Sequence, residues 1–199
     1  MRIGIIGTGR VGSALKSGWT ASGLQVQIAG RKTVPGIADV SAWADVIVLA
    51  IPYAALKDVT PQIAPAQGKI VIDCTNPVSM GPDGLAVSVG HSTSGGETVQ
   101  AALPNTRVVK TLNQVGAEIM ADVSGFAHPP VQFMASQSDT AKTQVAELLR
   151  TLGFEPLDAG NLSASRLLEP FALLWITQAT AGNKGRDWAF GAMPRGTST

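Results

Sequence analysis

Arg2-Ile3-Gly4-Ile5-Ile6-Gly7-Thr8-Gly9-Arg10-Val11-Gly12-Ser13 is the stretch that decides the fold. Ile3 to Ile6 is a short apolar run, rich in β-branched side chains, of the kind that forms a buried strand. Gly7-Thr8-Gly9-Arg10-Val11-Gly12 follows it directly and opens a helix. In such a turn the first glycine permits the tight bend. The second lets a pyrophosphate approach the backbone, and the third lets helix and strand pack closely. The free N–H groups at the start of the helix then face the phosphates. Strand, loop and helix occur together at the N-terminus, which is the context that gives this glycine pattern meaning.

Working outward, short apolar runs alternate with helix-like stretches. The runs are Ile3 to Ile6, Leu24 to Ile28, Val46 to Ile51, Lys69 to Ile72, Val108 to Leu112 and Val131 to Ala135. Between them lie Ser13 to Ser22, Tyr53 to Ile63, Glu97 to Leu103, Gln114 to Asp122 and Asp139 to Leu152. The last has Ser138 or Asp139 as cap and Gly153 as stop. This alternation predicts a doubly wound, mainly parallel sheet with helices on both faces. A strand at Gly153 to Leu157 and a long apolar helix from Leu162 to Ala181 follow. Residues 1–160 are therefore expected to form the nucleotide-binding domain, and residues 161–199 a small C-terminal helical extension. The thin connection before Val46 admits a short strand at Ile37 and one helical turn near Ser41-Ala42-Trp43. Ser79 to Gly96, rich in Gly and Ser, is expected to be an irregular surface loop. Arg195 to Thr199 is expected to be disordered.

The end of the second run decides which dinucleotide the loop would take. Sites for NAD place Asp or Glu there, on the ribose 2′-OH. This chain has Ala29-Gly30-Arg31-Lys32, with no carboxylate until Asp39. Two adjacent cations, with the Thr8 hydroxyl, suit the 2′-phosphate of NADP, which a guanidinium holds bidentately. Ile51 and Pro52 end the third run and are expected to touch the ribose or nicotinamide end. Asp73-Cys74-Thr75-Asn76-Pro77 ends the next run on the same edge. Cys74 reads as a buried small residue, since no His lies near it in sequence to activate it.

Composition bounds the rest. The chain has 199 residues, 45% hydrophobic and 15% charged, with a net charge of +1. That gives no electrostatic case for nucleic acid or an anionic membrane. One cysteine excludes an internal disulfide. Two histidines, His91 and His128, lie far apart, so no metal site is expected. No apolar run reaches the roughly 20 residues of a membrane span. Arg2 leads at once into a glycine-broken run, so no signal peptide is expected. The expectation is a cytoplasmic protein without nucleic-acid or membrane partners.

Gly7 to Gly12, Gly30-Arg31-Lys32, Ala50-Ile51-Pro52, Val109-Lys110-Thr111-Leu112-Asn113 and Leu157-Asp158-Ala159-Gly160-Asn161-Leu162-Ser163-Ala164-Ser165-Arg166-Leu167-Leu168-Glu169-Pro170 together resemble the coenzyme F420-dependent NADP oxidoreductase family. The resemblance runs over nearly the whole chain, and the last block is its most specific part. It implies a Rossmann-type domain with a small C-terminal extension that moves hydride between NADP and the deazaflavin F420. The same domain type is similar to the NADPH-binding part of membrane ferric reductases. It also implies that Thr8 to Val11, Gly30, Arg31, Ile51, Asn76 and Ala117 contact NADP. Archaeal members that reduce F420 carry His where this chain has Asn113, and Ser and Thr where it has Pro170 and Ala172. Asn113 either hydrogen-bonds a carboxamide or ring carbonyl, or caps the helix beginning at Gln114.

The expected function is an NADP(H)-dependent oxidoreductase that passes hydride to a flavin-like or deazaflavin (F420) acceptor. The alternatives are reduction of a small carbonyl or imine, and a non-catalytic NADP(H)-sensing module. A carbonyl reductase wants a proton donor. Lys110 is the one candidate, and a lysine at a strand end is ordinarily solvated. No catalytic residue is assigned. Arg166 and Glu169 are spaced to pair on one helix face. Phe171 to Ile176 is apolar nearly all round, and is expected to close the acceptor pocket beside Ile51 and Asn113 and to be buried partly by a second subunit, in a homodimer.

Overall fold

A computed structural model describes residues 1–63, 66–193 and 195. The tail expected to be disordered lies, apart from Arg195, outside the described residues. Seven strands form the central sheet: β1 (Arg2–Ile6), β2 (Gln25–Ala29), β3 (Val46–Leu49), β4 (Ile70–Asp73), β7 (Arg107–Lys110), β8 (Val131–Ala135) and β9 (Glu155–Gly160). Their order is β2-β1-β3-β4-β7-β8-β9. Every neighbouring pair is parallel except β7 with β8, which meet antiparallel at Lys110 and Ala135. From β1 the chain runs first to β2 on one side and then to β3 on the other. That reversal opens a crevice at the carboxyl ends of β1 and β3, where ligands of such sheets bind.

The pleat sends alternate side chains to opposite faces, and each face has its own core. Ile3, Ile5, Val46, Val48, Ile70 and Ile72 pack with α1 (Arg10–Ala21), α5 (Ala117–Ala121) and α6 (Asp139–Thr151). Ile6, Ile47, Leu49 and Val71 pack with α2 (Ile37–Trp43), α3 (Leu56–Val59) and α4 (Gly95–Ala102). This is why the strands read as continuous apolar runs. Trp19 of α1 is fully buried and donates its indole N–H to the Leu148 carbonyl of α6 at 3.0 Å. The last long helix, α7 (Ser165–Thr180), follows a 3-10 turn at Leu162–Ala164.

Three segments differ from the sequence reading. The strand expected at Ile37 is the start of α2. Asp39 accepts the Gly36 N–H at 3.0 Å, a helix-starting contact that outweighs the strand preference of one β-branched residue, while Ile37 and Val40 bury one turn apart. The loop expected from Ser79 to Gly96 contains a hairpin, β5 (Val78–Gly81) and β6 (Gly84–Val87). Gly84, at φ +107°, lets Gly81-Pro82-Asp83-Gly84 reverse the chain. The helix expected from Gln114 starts only at Ala117, with Gly116 at its cap position. Asn113 therefore caps nothing. Pro170 lies inside α7.

Candidate functional site

Gly7 sits at φ +129°, and a Cβ there would lie 2.0 Å from the Ala50 carbonyl oxygen. A Cβ on Gly12 would lie 1.9 Å from the Gly7 carbonyl oxygen. These two glycines let β1, β3 and α1 close on one another. Gly9 is different: a Cβ there would meet nothing within 4 Å. Gly9 is the cap position of α1, in extended conformation, and no side chain takes the N–H groups of the first turn. A cradle of free donors around open space fits a pyrophosphate.

At the end of β2, Gly30 lies against Thr8, so close that a Cβ would be 3.1 Å from the Thr8 hydroxyl. Arg31 and Lys32 are exposed beside it. Neither forms an ion pair among the described residues. The nearest carboxylate in sequence, Asp39, is engaged at the start of α2.

Two adjoining cavities follow the strand ends. One, of about 340 Å³, is lined by Gly9, Arg10, Val11, Ala50, Ile51, Pro52 and Cys74. The other, of about 160 Å³, has Val11 and Cys74 in common with it and is walled by Asn76, Asn113, Ala117, Trp175, Ile176 and Arg186 among others. The structure thus brings Gly9, Arg10, Val11, Ile51 and Pro52 to one cavity and Asn76, Asn113 and Ala117 to the next. Thr8, Gly30, Arg31 and Lys32 lie at the β2 corner, and Gly7 and Gly12 shape the turn. Cys74 lines both cavities. Burial pushes its thiol well above the usual range, and the Asp73 charge adds to this. That suits a wall and not a nucleophile.

The Asn113 amide is engaged on all sides. Its Nδ2 donates to Asn76 Oδ1 at 3.0 Å and to the Leu168 carbonyl at 3.3 Å, and its Oδ1 accepts from Gln114 Nε2 at 3.0 Å. Asn76 in turn donates to the Asn113 carbonyl at 2.8 Å. Asn76 keeps one N–H and one lone pair for the cavity, and Asn113 fixes its orientation. Just before them Leu112 is fully buried at φ +56°, a conformation that costs about 1–3 kcal/mol for a side-chain-bearing residue. The turn is held from β8. Gln114 donates to the Phe133 carbonyl at 2.9 Å and accepts the Phe133 N–H at 3.1 Å, and Thr111 donates to the same carbonyl at 2.9 Å.

Lys110, expected to be solvated, is fully buried. Its ammonium lies 3.0 Å from Asp73 and 3.0 Å from Glu169, and also donates to the Thr75 carbonyl. Burial lowers its pKa, but the two carboxylates outweigh that and raise it. Its ammonium is held by these three partners and lines neither cavity. Nor do Arg166 and Glu169 pair with each other. Glu169 accepts the N–H groups of Gly95 and Gly96 at 2.9 and 3.0 Å, where the α4 dipole favours an anion. Arg166 grips Glu97 at 2.6 and 2.9 Å. The most specific block of the sequence thus docks α7 onto the first turn of α4.

Within Phe171 to Ile176, expected to be buried partly by a second subunit, Trp175 is covered by its own chain. After α7 a strap of residues 182–190 returns across it. Trp188 stacks on Trp175 with centroids 5.9 Å apart, and Trp175 Nε1 donates to the Trp188 carbonyl at 2.9 Å. Phe190 packs on Phe171 at 4.1 Å. Arg186 lies 5.6 Å over the Trp175 ring and donates to Glu118 at 2.9 and 3.2 Å. Glu118 also pairs with Arg10. Strap residues Arg186 and Trp188, and their partner Glu118, escaped the sequence reading. Their one signal is the Arg-Asp-Trp run at 186–188 after the last helix.

Residues 36–77 match the family described as NADP oxidoreductase, coenzyme F420-dependent. A solved structure from Arthrobacter sp. FB24, provisionally named an F420-dependent NADP-reductase, superposes with TM-score 0.88 at 26% identity, over 98% of this chain and 100% of that one. This chain resembles the F420-dependent NADP oxidoreductase family. A hypothetical protein from Sinorhizobium meliloti is 30% identical over 83% of this chain and 88% of its own, with TM-score 0.72. Metalloreductase STEAP3 of Rattus norvegicus is 27% identical over 86% of this chain. This chain spans only 36% of that relative's length. The family is one of NADP-dependent oxidoreductases. Among the described residues no helix is long and apolar enough to cross a membrane.

Proposed function

We propose that this chain binds NADP(H) along the Gly7–Gly12 loop and passes hydride to a planar flavin-like or deazaflavin ring, coenzyme F420 among them. The observation that carries the reading is the pair of cavities joined at Val11 and Cys74. One adjoins the phosphate cradle, and the other is sized for a ring. The backbone donors after Gly9 and the Arg10 side chain would hold the pyrophosphate. Thr8, Gly30, Arg31 and Lys32 would hold the 2′-phosphate, and Ile51 and Pro52 the ribose. Asn76, oriented by Asn113, would meet the nicotinamide carboxamide beside Ala117. When bound, the reduced dinucleotide would supply a hydride to the acceptor ring, and solvent would supply the one proton that balances the reduction.

A ring acceptor also fits what the cavity walls offer. Lys110 is locked in ion pairs, His91 and His128 are exposed away from both cavities, and the Tyr53 ring packs against Gly95. None of them is placed to protonate an alkoxide, whereas a conjugated ring delocalises the charge it receives. The reading includes a cytoplasmic protein whose residues 1–160 bind the dinucleotide and whose residues 161–199 complete the acceptor site. It includes a homodimer through the outer face of α7, where Leu167 and Leu174 stand exposed. Anaerobic NADPH oxidation should proceed with F420, riboflavin or FMN and fail with small ketones and imines. Turnover of ketones or imines alone, or tight NADPH binding with no acceptor reduced, would replace this reading.

A further inference from the structure

We propose that the strap carries an anion subsite, centred on Arg186, at the mouth of the smaller cavity. The inference rests on the functional reading above and deepens it. Arg186 lies outside every helix and strand of the sheet domain, and three ties bring it to the cavity wall. Its guanidinium grips Glu118, the Trp188 carbonyl accepts from Trp175, and the Phe190 carbonyl accepts the Val131 N–H at 2.9 Å. Gly116 has no Cβ to obstruct this approach. A Cβ there would lie 2.8 Å from Trp175 and 3.2 Å from Arg186 Nη2.

The charges at this point do not cancel. Arg10 and Arg186 both pair with Glu118, so two guanidinium groups meet one carboxylate. The hydrogen bond from Arg186 holds that carboxyl below its usual range, so it is ionised at neutral pH and contributes one negative charge only. Glu118 takes two of the five N–H groups of Arg186. The other three have no partner among the described residues. Unclaimed donors of a cation, on a wall shared with Val11, Leu112, Val115 and Ile176, make charge-assisted hydrogen bonds about twice as strong as neutral ones. The Arg186 side chain is 39% exposed, so water can reach these donors, and an anion entering the cavity mouth would take its place. Two sources share that chemistry: the dinucleotide pyrophosphate approaching past Arg10, and the acceptor ring, which becomes anionic once it has taken hydride.

Binding measurements separate the sources. Anaerobic calorimetry would compare NADPH with reduced nicotinamide riboside, which has no phosphate, and reduced anionic riboflavin with its neutral oxidised form. Wild-type protein, Arg186→Gln and Arg186→Lys would be titrated, with tryptophan fluorescence reporting the Trp175–Trp188 stack. Arg186→Gln should weaken one anionic ligand about 10-fold to 100-fold and its neutral counterpart less than about threefold, and Arg186→Lys should recover much of the loss. If NADPH is the ligand affected, the anion is the pyrophosphate; if reduced riboflavin is, the anion is the ring. Equal losses for charged and neutral ligands, equal losses in Lys and Gln variants, or no loss would each overturn the subsite. Wild-type protein that fails to bind NADPH would overturn the functional reading itself, and the subsite with it.

Discussion

The two ends of this chain hold their places by opposite means. The first thirty residues are shaped by glycines: Gly7 and Gly12 let backbone approach backbone, and Gly9 leaves space open. Residues 165–190 are held largely by charge: Glu169 in the α4 N-terminus and on Lys110, Arg166 on Glu97, Arg186 on Glu118. The contrast teaches where a cofactor can enter. The N-terminal loop keeps its donors free, whereas the C-terminal contacts satisfy theirs inside the protein, Arg186 in part excepted.

The sharpest way to break the contrast is to remove the buried cation. Lys110→Met would leave Asp73 and Glu169 buried without their partner, and urea unfolding should show a loss of about 3–5 kcal/mol. A stability within about 1 kcal/mol of wild type would mean that charge does not hold this end. Next comes Gly9→Val. The site has room for the side chain in the empty protein, so stability should be kept, while NADPH binding falls by at least about 100-fold. Calorimetry beside a thermal melt reads both, and unchanged affinity would remove the cradle from the argument. Arg31→Glu should weaken NADPH about 10-fold to 100-fold and NADH by less than about threefold. Equal weakening would reassign the 2′-phosphate site.

A smaller effect concerns pH. A carboxylate with a depressed pKa contributes its stability above its ordinary value of about 4.3 and loses it as the pH falls through the lower, folded value. Arg186 depresses Glu118 in this way. Tryptophan fluorescence of the strap should therefore be constant from about pH 9 to pH 5 and change only below about pH 4, whereas Glu118→Gln should show the altered signal throughout. Strap release near neutral pH in the wild type would contradict the pairing. The mildest change is expected from Leu167→Glu with Leu174→Glu. Both side chains are exposed, so folding and NADPH binding should be near normal while sedimentation shifts to monomer. A wild type already monomeric at micromolar concentration would end the dimer proposal.

Reading the sequence was reliable where chemistry is local. Gly7, Gly9 and Gly12 announce a loop because only glycine tolerates that bend and that approach. The alternation of apolar runs announces the sheet because both faces are covered. The same local logic failed where a neighbour in space decides. Ile37 begins a helix because Asp39 accepts the Gly36 N–H. Lys110 is buried because Asp73 lies 37 positions before it and Glu169 comes from the last helix. Asn113 serves Asn76 and not a helix cap, because the helix waits for Gly116.

By itself, then, the sequence determined a doubly wound sheet with a glycine-shaped strand-to-helix loop at its first turn, since both follow from side-chain size and backbone freedom within a few residues. Only the tertiary structure decided how the far wall of the cleft is made. Arg186 meets Glu118 across 68 positions, and Glu118 meets Arg10 across 108. No pattern along the chain encodes such meetings, because each depends on where the packed sheet and helices place their ends.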